Sequence, residues 1–260
     1  MIYEDLLINK HIFNNLLKYK KNNKLPNAFI FHGQEGIGKE GHAIEFFAAL
    51  NCQENKMEAC GFCKSCSKIK KLQHENLEII FPLPKTKPIS KNDSPLKGLT
   101  ENQIKLVEEN FSKKGINPYH TINFDSANTI LINSVRNIKK TINLSLSKNS
   151  IKVYIILQSE KLCFPNTESA NALLKIIEEP PDNTLFILIT TDISMLIDTI
   201  VSRCSIIYFP KINLNEIKTY LKNKKIDNSE FIAKISSGNI KNAIKLATCY
   251  EDKINLIKKF

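Results

Sequence analysis

The run Ala28-Phe29-Ile30-Phe31-His32-Gly33-Gln34-Glu35-Gly36-Ile37-Gly38-Lys39-Glu40 decides how the rest of this chain is read. It opens with a short apolar segment and passes straight into glycines with the Gly-x-x-x-x-Gly-Lys spacing of a phosphate-binding loop. The residues that follow, through Leu50, carry the apolar pattern of a helix. The reading is strand, glycine loop, helix. Such a loop lets successive backbone N–H groups converge on phosphate oxygens, while the helix N-terminus adds positive potential and the lysine reaches the outer phosphates. Gly33, Gly36, Gly38 and Lys39 are therefore candidate nucleotide-binding residues.

The chemistry that should complete the loop is missing. The residue after the lysine should be Ser or Thr, whose hydroxyl ligates Mg²⁺. Here it is Glu40, which adds negative charge beside a triphosphate and intrudes on the metal position. An acid pair should end a second buried strand, one acid to hold Mg²⁺ and one to orient the attacking water. The strand Val153–Leu157 instead runs into Leu157-Gln158-Ser159-Glu160. Leucine holds no metal, Gln158 is no base, and Glu160 is the lone acid, displaced by a few positions. The expectation is a loop that keeps its shape and has lost hydrolysis, with ATP binding left in doubt.

Working outward, a helix is expected over 4–20, with Leu6, Leu7, Ile12, Phe13, Leu16 and Leu17 at helical spacing. Strands are expected at Leu77–Phe81, Val153–Leu157, Thr184–Thr190 and Ser205–Phe209, the last three read as buried. Helices are expected over about 101–113, where Thr100 and Gln103 form a capping box, and over 130–142 and 169–177. Strands alternating with helices predict an α/β fold with a parallel sheet flanked by helices. Residues 82–99 hold four of the ten prolines and read as a surface insertion. Beyond Pro210 the pattern is helical throughout, broken at Ser237-Gly238-Asn239. The expected division is an α/β domain over 1–210 and a small all-helical domain over 211–260.

The formal net charge is +11, and residues 211–260 contribute 11 lysines against 5 acids, or +6. This points to an acidic partner such as nucleic acid, or to a solubilising lysine coat. No apolar run approaches the roughly 18 residues of a membrane span, and no secretory signal is evident. Cys52-x7-Cys60-x2-Cys63-x2-Cys66 has the spacing of a closed tetrahedral Zn²⁺ site of structural kind, with His74 as a conceivable substitute ligand. The remaining cysteines are scattered singles, as suits a reducing cytoplasm.

The glycine loop, this cysteine spacing, the stretch Ser169-Ala170-Asn171-Ala172-Leu173-Leu174-Lys175-Ile176-Ile177-Glu178-Glu179-Pro180-Pro181 and Ser202-Arg203-Cys204 together resemble the bacterial clamp-loader family, over about residues 1–250. The resemblance implies an AAA+ P-loop domain with an inserted zinc module (52–66), a helical lid, and usually a collar that closes a five-subunit ring. About 50 residues follow Pro210, enough for the lid, so the collar is expected to be absent. The family has an ATP-hydrolysing gamma/tau branch and a non-hydrolysing delta-prime branch of DNA polymerase III. The losses at Glu40, Leu157 and Gln158 favour the second, as does Lys241, which stands where the family has a nucleotide-sensing Arg. Implied partners are the gamma/tau and delta subunits, with the sliding clamp and primer-template DNA met through the complex. Arg203 resembles an arginine finger that serves a neighbour's ATP site in trans. Thr190 and Thr191 sit where a phosphate-sensing polar group stands, and Lys161, Lys175 and Arg136 are candidates for DNA contact. Two alternatives stay open: a gamma/tau-like ATPase with unusual ligands, and a zinc-ribbon DNA-binding protein on an inert P-loop scaffold.

Overall fold

The strand ahead of the glycine loop, β1 (Ala28–His32), lies inside the sheet of the computed structural model, which describes residues 1–55, 57–142 and 150–257. Its partners are β4 (Thr184–Thr190) on one side and β5 (Ser205–Tyr208) on the other, both parallel to it. Beyond β4 come β3 (Lys152–Ile156) and then β2 (Leu77–Ile80) at the far edge, also parallel. Because β1 pairs with strands far along the sequence, the order β2-β3-β4-β1-β5 leaves a crevice at the carboxyl end of β1, where open α/β sheets bind ligands.

Two cores explain why the central strands read as unbroken apolar runs. Phe29 and Phe31 of β1, Val153 and Ile155 of β3, and Leu185, Ile187 and Ile189 of β4 point into one core. Ile30, Tyr154, Ile156, Phe186 and Leu188 alternate with them and fill the other. The first core is covered by α1 (Lys10–Lys21) and α2 (Lys39–Asn51), the second by α5 (Ile132–Thr141) and α6 (Glu168–Glu178). Between α2 and α5 lie the short α3 (Lys64–Lys70) and α4 (Glu101–Ile116). The α4 N-terminus carries the expected capping box, with Gln103 N–H donating to Thr100 Oγ1 at 3.3 Å and Thr100 N–H to Gln103 Oε1 at 2.9 Å. After α7 (Asp198–Val201) and β5 come α8 (Leu214–Asn223), α9 (Ser229–Ile235) and α10 (Ile240–Ile257). Their buried residues Ile217, Leu221, Ile232, Ala233, Ile240 and Ala243 join the first core, so this helical segment packs continuously with it. Residues 258–260, the end of the expected helical domain, lie outside the described residues.

Three expectations need correction. The first helix begins at Lys10 rather than near residue 4. Upstream, the backbone amides are claimed by side chains: Ile2 and Tyr3 donate to Glu45, Leu7 to Tyr119 Oη and Asn9 to His42 Nε2. The periodicity of Leu6 and Leu7 thus came from an irregular strap pinned across α2. The strand at 205–208 is an edge, not a buried strand, with Ile206 and Tyr208 exposed. The segment 82–99 does run over the surface, but Leu83 and Leu99 at its two ends are buried in the first core. Among the described residues, no helix is long and apolar enough to cross a membrane.

Candidate functional sites

A cavity of about 210 Å³ opens at the carboxyl end of β1, lined by Gly36, Gly38, Lys39, Glu40, Lys114, Gln158, Glu160 and Thr190 among others. The structure therefore brings most of the expected nucleotide residues together. Gly33 takes φ +143°, and a Cβ there would lie 2.4 Å from the Phe209 carbonyl oxygen, so only glycine permits this approach. Lys39 does not project outward; its ammonium donates to the carbonyl oxygens of Gly33 (2.6 Å) and Gln34 (2.8 Å) in its own loop. Burial lowers its pKa to about 8, against the pull of Glu40, Glu160 and Glu35.

Glu40 points at a residue that sequence reasoning missed. Its carboxylate pairs with Lys114, near the end of α4, whose side chain is buried. The Lys114 ammonium also donates to the carbonyl oxygens of Pro118 (2.9 Å) and His120 (2.7 Å). All three of its protons are thereby used. Leu157 is buried in the first core, and Gln158 turns through φ +50° to donate to Asn123 Oδ1 at 2.7 Å. Glu160 lines the cavity with one buried carboxylate oxygen that has no hydrogen-bond partner. Thr190 ties down its own turn, donating to the Asp192 carbonyl oxygen at 2.9 Å. Thr191 is exposed beside it.

The helical segment closes directly on the loop. Lys241 donates to Glu35 Oε1 and to Thr121 Oγ1, each at 2.6 Å, and its backbone N–H reaches the Gly36 carbonyl oxygen at 3.1 Å. Asn239 Nδ2 donates to the Glu35 carbonyl oxygen at 2.9 Å. Gly36 takes φ +75°, and a Cβ there would stand 2.8 Å from Lys241 Cβ on α10. Glycine thus suits both the turn of the loop and the close docking of α10 on it.

His42, one turn into α2, fixes the loop from behind. Its Nδ1 lies 2.8 Å from the Gly38 carbonyl oxygen, and its Nε2 accepts the Asn9 N–H at 2.9 Å. The ring is therefore neutral with its proton on Nδ1. Burial lowers its pKa from 6.5 to about 4, with the Gly38 hydrogen bond opposing. Across that window the unfolded chain binds the proton that the folded chain refuses, so stability rises with pH and is lost as pH falls below 6.5. We expect this one group to make the protein about 2 kcal/mol less stable at pH 5 than at pH 7. Urea midpoints at the two pH values measure the loss, and an NMR titration assigns it. A His42 ring titrating near 6.5 would refute the assignment.

The four cysteines Cys52, Cys60, Cys63 and Cys66 meet with their Sγ atoms all within 4.8 Å of one another, a set that could hold a metal ion. Their environment suits thiolates. Cys52 Sγ accepts backbone N–H groups from Asn55 (3.3 Å) and Cys60 (3.4 Å), Cys60 Sγ accepts that of Cys63 (3.3 Å), and Cys63 Sγ that of Cys66 (3.4 Å). Although burial works the other way, the amides of Cys66 and Gln53 help bring Cys63 down to about 6. Burial pushes Cys66 up, so a metal is what would draw its proton off. His74 is not part of the cluster: Nε2 contacts Ser65 Oγ at 3.1 Å, Nδ1 accepts the Asn76 N–H, and the ring packs on Phe47.

Arg203 lies between α7 and β5, about two-fifths exposed. It pairs with Glu178 Oε1 at 2.8 Å and donates to the Thr199 carbonyl oxygen at 3.0 Å. That ion pair joins the Glu-Glu-Pro-Pro end of α6 to the Ser-Arg-Cys turn. Lys161 is occupied by the Ala127 carbonyl oxygen at 2.8 Å, whereas Lys175 is exposed.

Comparisons with known proteins converge. The family model for DNA polymerase III, delta subunit, matches residues 8–213. The chain is 26% identical over 243 residues to DNA polymerase III subunit delta' of Bacillus subtilis, covering 92% of this chain and 57% of that protein. It is 27% identical over 254 residues to DNA polymerase III subunit tau of the same bacterium, covering 94% of this chain and 37% of that one. It thus spans less than two thirds of either relative. Thermotoga maritima RuvB, described as a Holliday junction branch migration motor, shares the fold with a TM-score of 0.53 at 14% identity, over 99% of this chain and 67% of that chain.

Proposed function

Since this chain belongs to the DNA polymerase III delta-subunit family, we propose that it acts as a non-hydrolysing, delta-prime-like subunit of the clamp loader and lends Arg203 to the ATP site of a neighbouring subunit. The observation that carries this reading is the Glu40–Lys114 ion pair, which stands where a working loop holds its metal. Identity alone does not separate the branches, because the delta' and tau relatives match almost equally. The site residues support the non-hydrolysing branch: Leu157 is core, and Gln158 is engaged by Asn123.

In this reading the guanidinium of Arg203 would neutralise charge that develops on the phosphate undergoing transfer in the neighbour. Its exposed pair with Glu178 is worth little, about 0–1 kcal/mol, and is readily exchanged for phosphate oxygens. The four cysteines would hold a structural Zn²⁺, with no ligand position left open for chemistry. The partners would be the gamma/tau and delta subunits, with the clamp and primer-template DNA engaged only through the assembly. We treat 1–210 as the AAA+ domain and the segment beyond as its lid.

The purified chain is expected to turn over no ATP, and to raise turnover when mixed with gamma/tau and delta subunits. ATP hydrolysis by the chain alone would support the gamma/tau-like alternative. Primed-DNA binding by the isolated chain would support the zinc-ribbon alternative.

A further inference from the structure

The residues present do not fit the Mg²⁺ that this fold implies. Mg²⁺ demands a near-octahedral set of oxygen ligands and keeps several waters. Here the side chain at the ligating position, Glu40, is already engaged by a buried ammonium. Lys114 cannot swing away cheaply, because it is held by two carbonyl oxygens as well and buried among α4, Pro118 and His120. Three acids (Glu35, Glu40, Glu160) and three lysines (Lys39, Lys114, Lys241) face or flank the same cavity, so its charge closes with no divalent ion. The loop backbone is engaged too, since the Gly36 and Glu35 carbonyl oxygens accept from the helical segment.

We propose that Lys114, its protons spent on Glu40 and two carbonyl oxygens, is a tethered cation that fills the place of the divalent metal without ligating phosphate, so that Mg²⁺ adds nothing to phosphate binding in this cavity. The proposal rests on the non-hydrolysing reading and deepens it by naming what replaced the metal. Its consequence is that the arrangement of loop and lid is set by the chain's own ion pairs, independent of Mg·ATP.

The test uses the full chain with a fluorescent ATP analogue as probe, titrated in Mg²⁺ and in EDTA. Wild type is expected to show the same affinity, or the same absence of binding, in both. The double variant Glu40→Thr, Lys114→Met restores the hydroxyl and removes the ammonium, and should bind at least about tenfold more tightly in Mg²⁺. Glu40→Thr alone, with the ammonium still seated, should not. Wild-type binding that tightens about tenfold with Mg²⁺, or the same gain in Glu40→Thr alone, overturns the proposal. Should the variants fail to fold, wild-type melting temperature decides: it should be equal with ATP in Mg²⁺ and in EDTA, and a rise specific to Mg²⁺ overturns the proposal. Mg²⁺-dependent binding without turnover defeats only the tethered cation, whereas turnover by the isolated chain defeats the non-hydrolysing reading.

Discussion

Replacing Arg203 by alanine is expected to lower ATP turnover at the adjacent site of the reconstituted loader by at least about 10³-fold, since arginine fingers supplied in trans contribute about 10³–10⁵. The same change should barely touch the fold. Arg203 is partly exposed, its partner Glu178 is comparably exposed, and such surface pairs contribute about 0–1 kcal/mol. The two readouts separate a catalytic from a structural role: a large loss of turnover with an unchanged melting temperature is the signature of the first. Lysine should not rescue, because its point charge lacks the planar fork that meets two phosphate oxygens at once. Unchanged turnover in the alanine variant would remove the finger and leave Arg203 as the tie between α6 and the turn before β5.

How much of this was legible in the sequence depended on whether the signal was local. The strand, loop and helix around Gly33–Lys39 are written in contiguous residues, and the structure reproduces them. Strands β3 and β4, buried on both faces, declared themselves as unbroken apolar runs, and Thr184–Thr190 matches residue for residue. The strap at 2–9 misled, because burial against α2 produces the same apolar spacing as a helix while Glu45 and His42 take the backbone donors. The edge character of β5 was hidden because Ser205–Phe209 is apolar whether covered or not. Lys114 was invisible for a different reason. Nothing beside it in Phe111-Ser112-Lys113-Lys114-Gly115 distinguishes a buried ammonium from a solvated one. The only available hint lay 74 residues away, in a glutamate seated where a carboxylate needs a counter-ion.

With Zn²⁺ held by the four cysteines as proposed, its loss is expected to have the largest effect on stability, and to be felt at the glycine loop. Structural Zn²⁺ contributes about 10–16 kcal/mol of apparent binding free energy in small peptides. Even a fraction of that should lower the melting temperature by on the order of 10 °C in a chain of this size. The route inward is short. Cys66, Ile69 and Leu72 belong to the first core, and the chain's amino group donates to the Ala59 carbonyl oxygen inside the cysteine loop at 2.7 Å. At the other end α3 meets α4 so closely that a Cβ on Gly115 would stand 2.4 Å from the Lys70 carbonyl oxygen. Gly115 follows Lys114, so displacement of α3 shifts the very turn that seats the ammonium against Glu40. Chelation, or Cys66→Ser, should therefore both lower the melting temperature and raise the accessibility of the glycine loop to protease, whereas Cys249→Ser, at an exposed position, should do neither. Metal analysis should find one Zn²⁺ per chain. A protein that purifies without metal and melts identically with and without chelator would show that the four thiols pack as apolar side chains, and that α3 is held by its core residues alone.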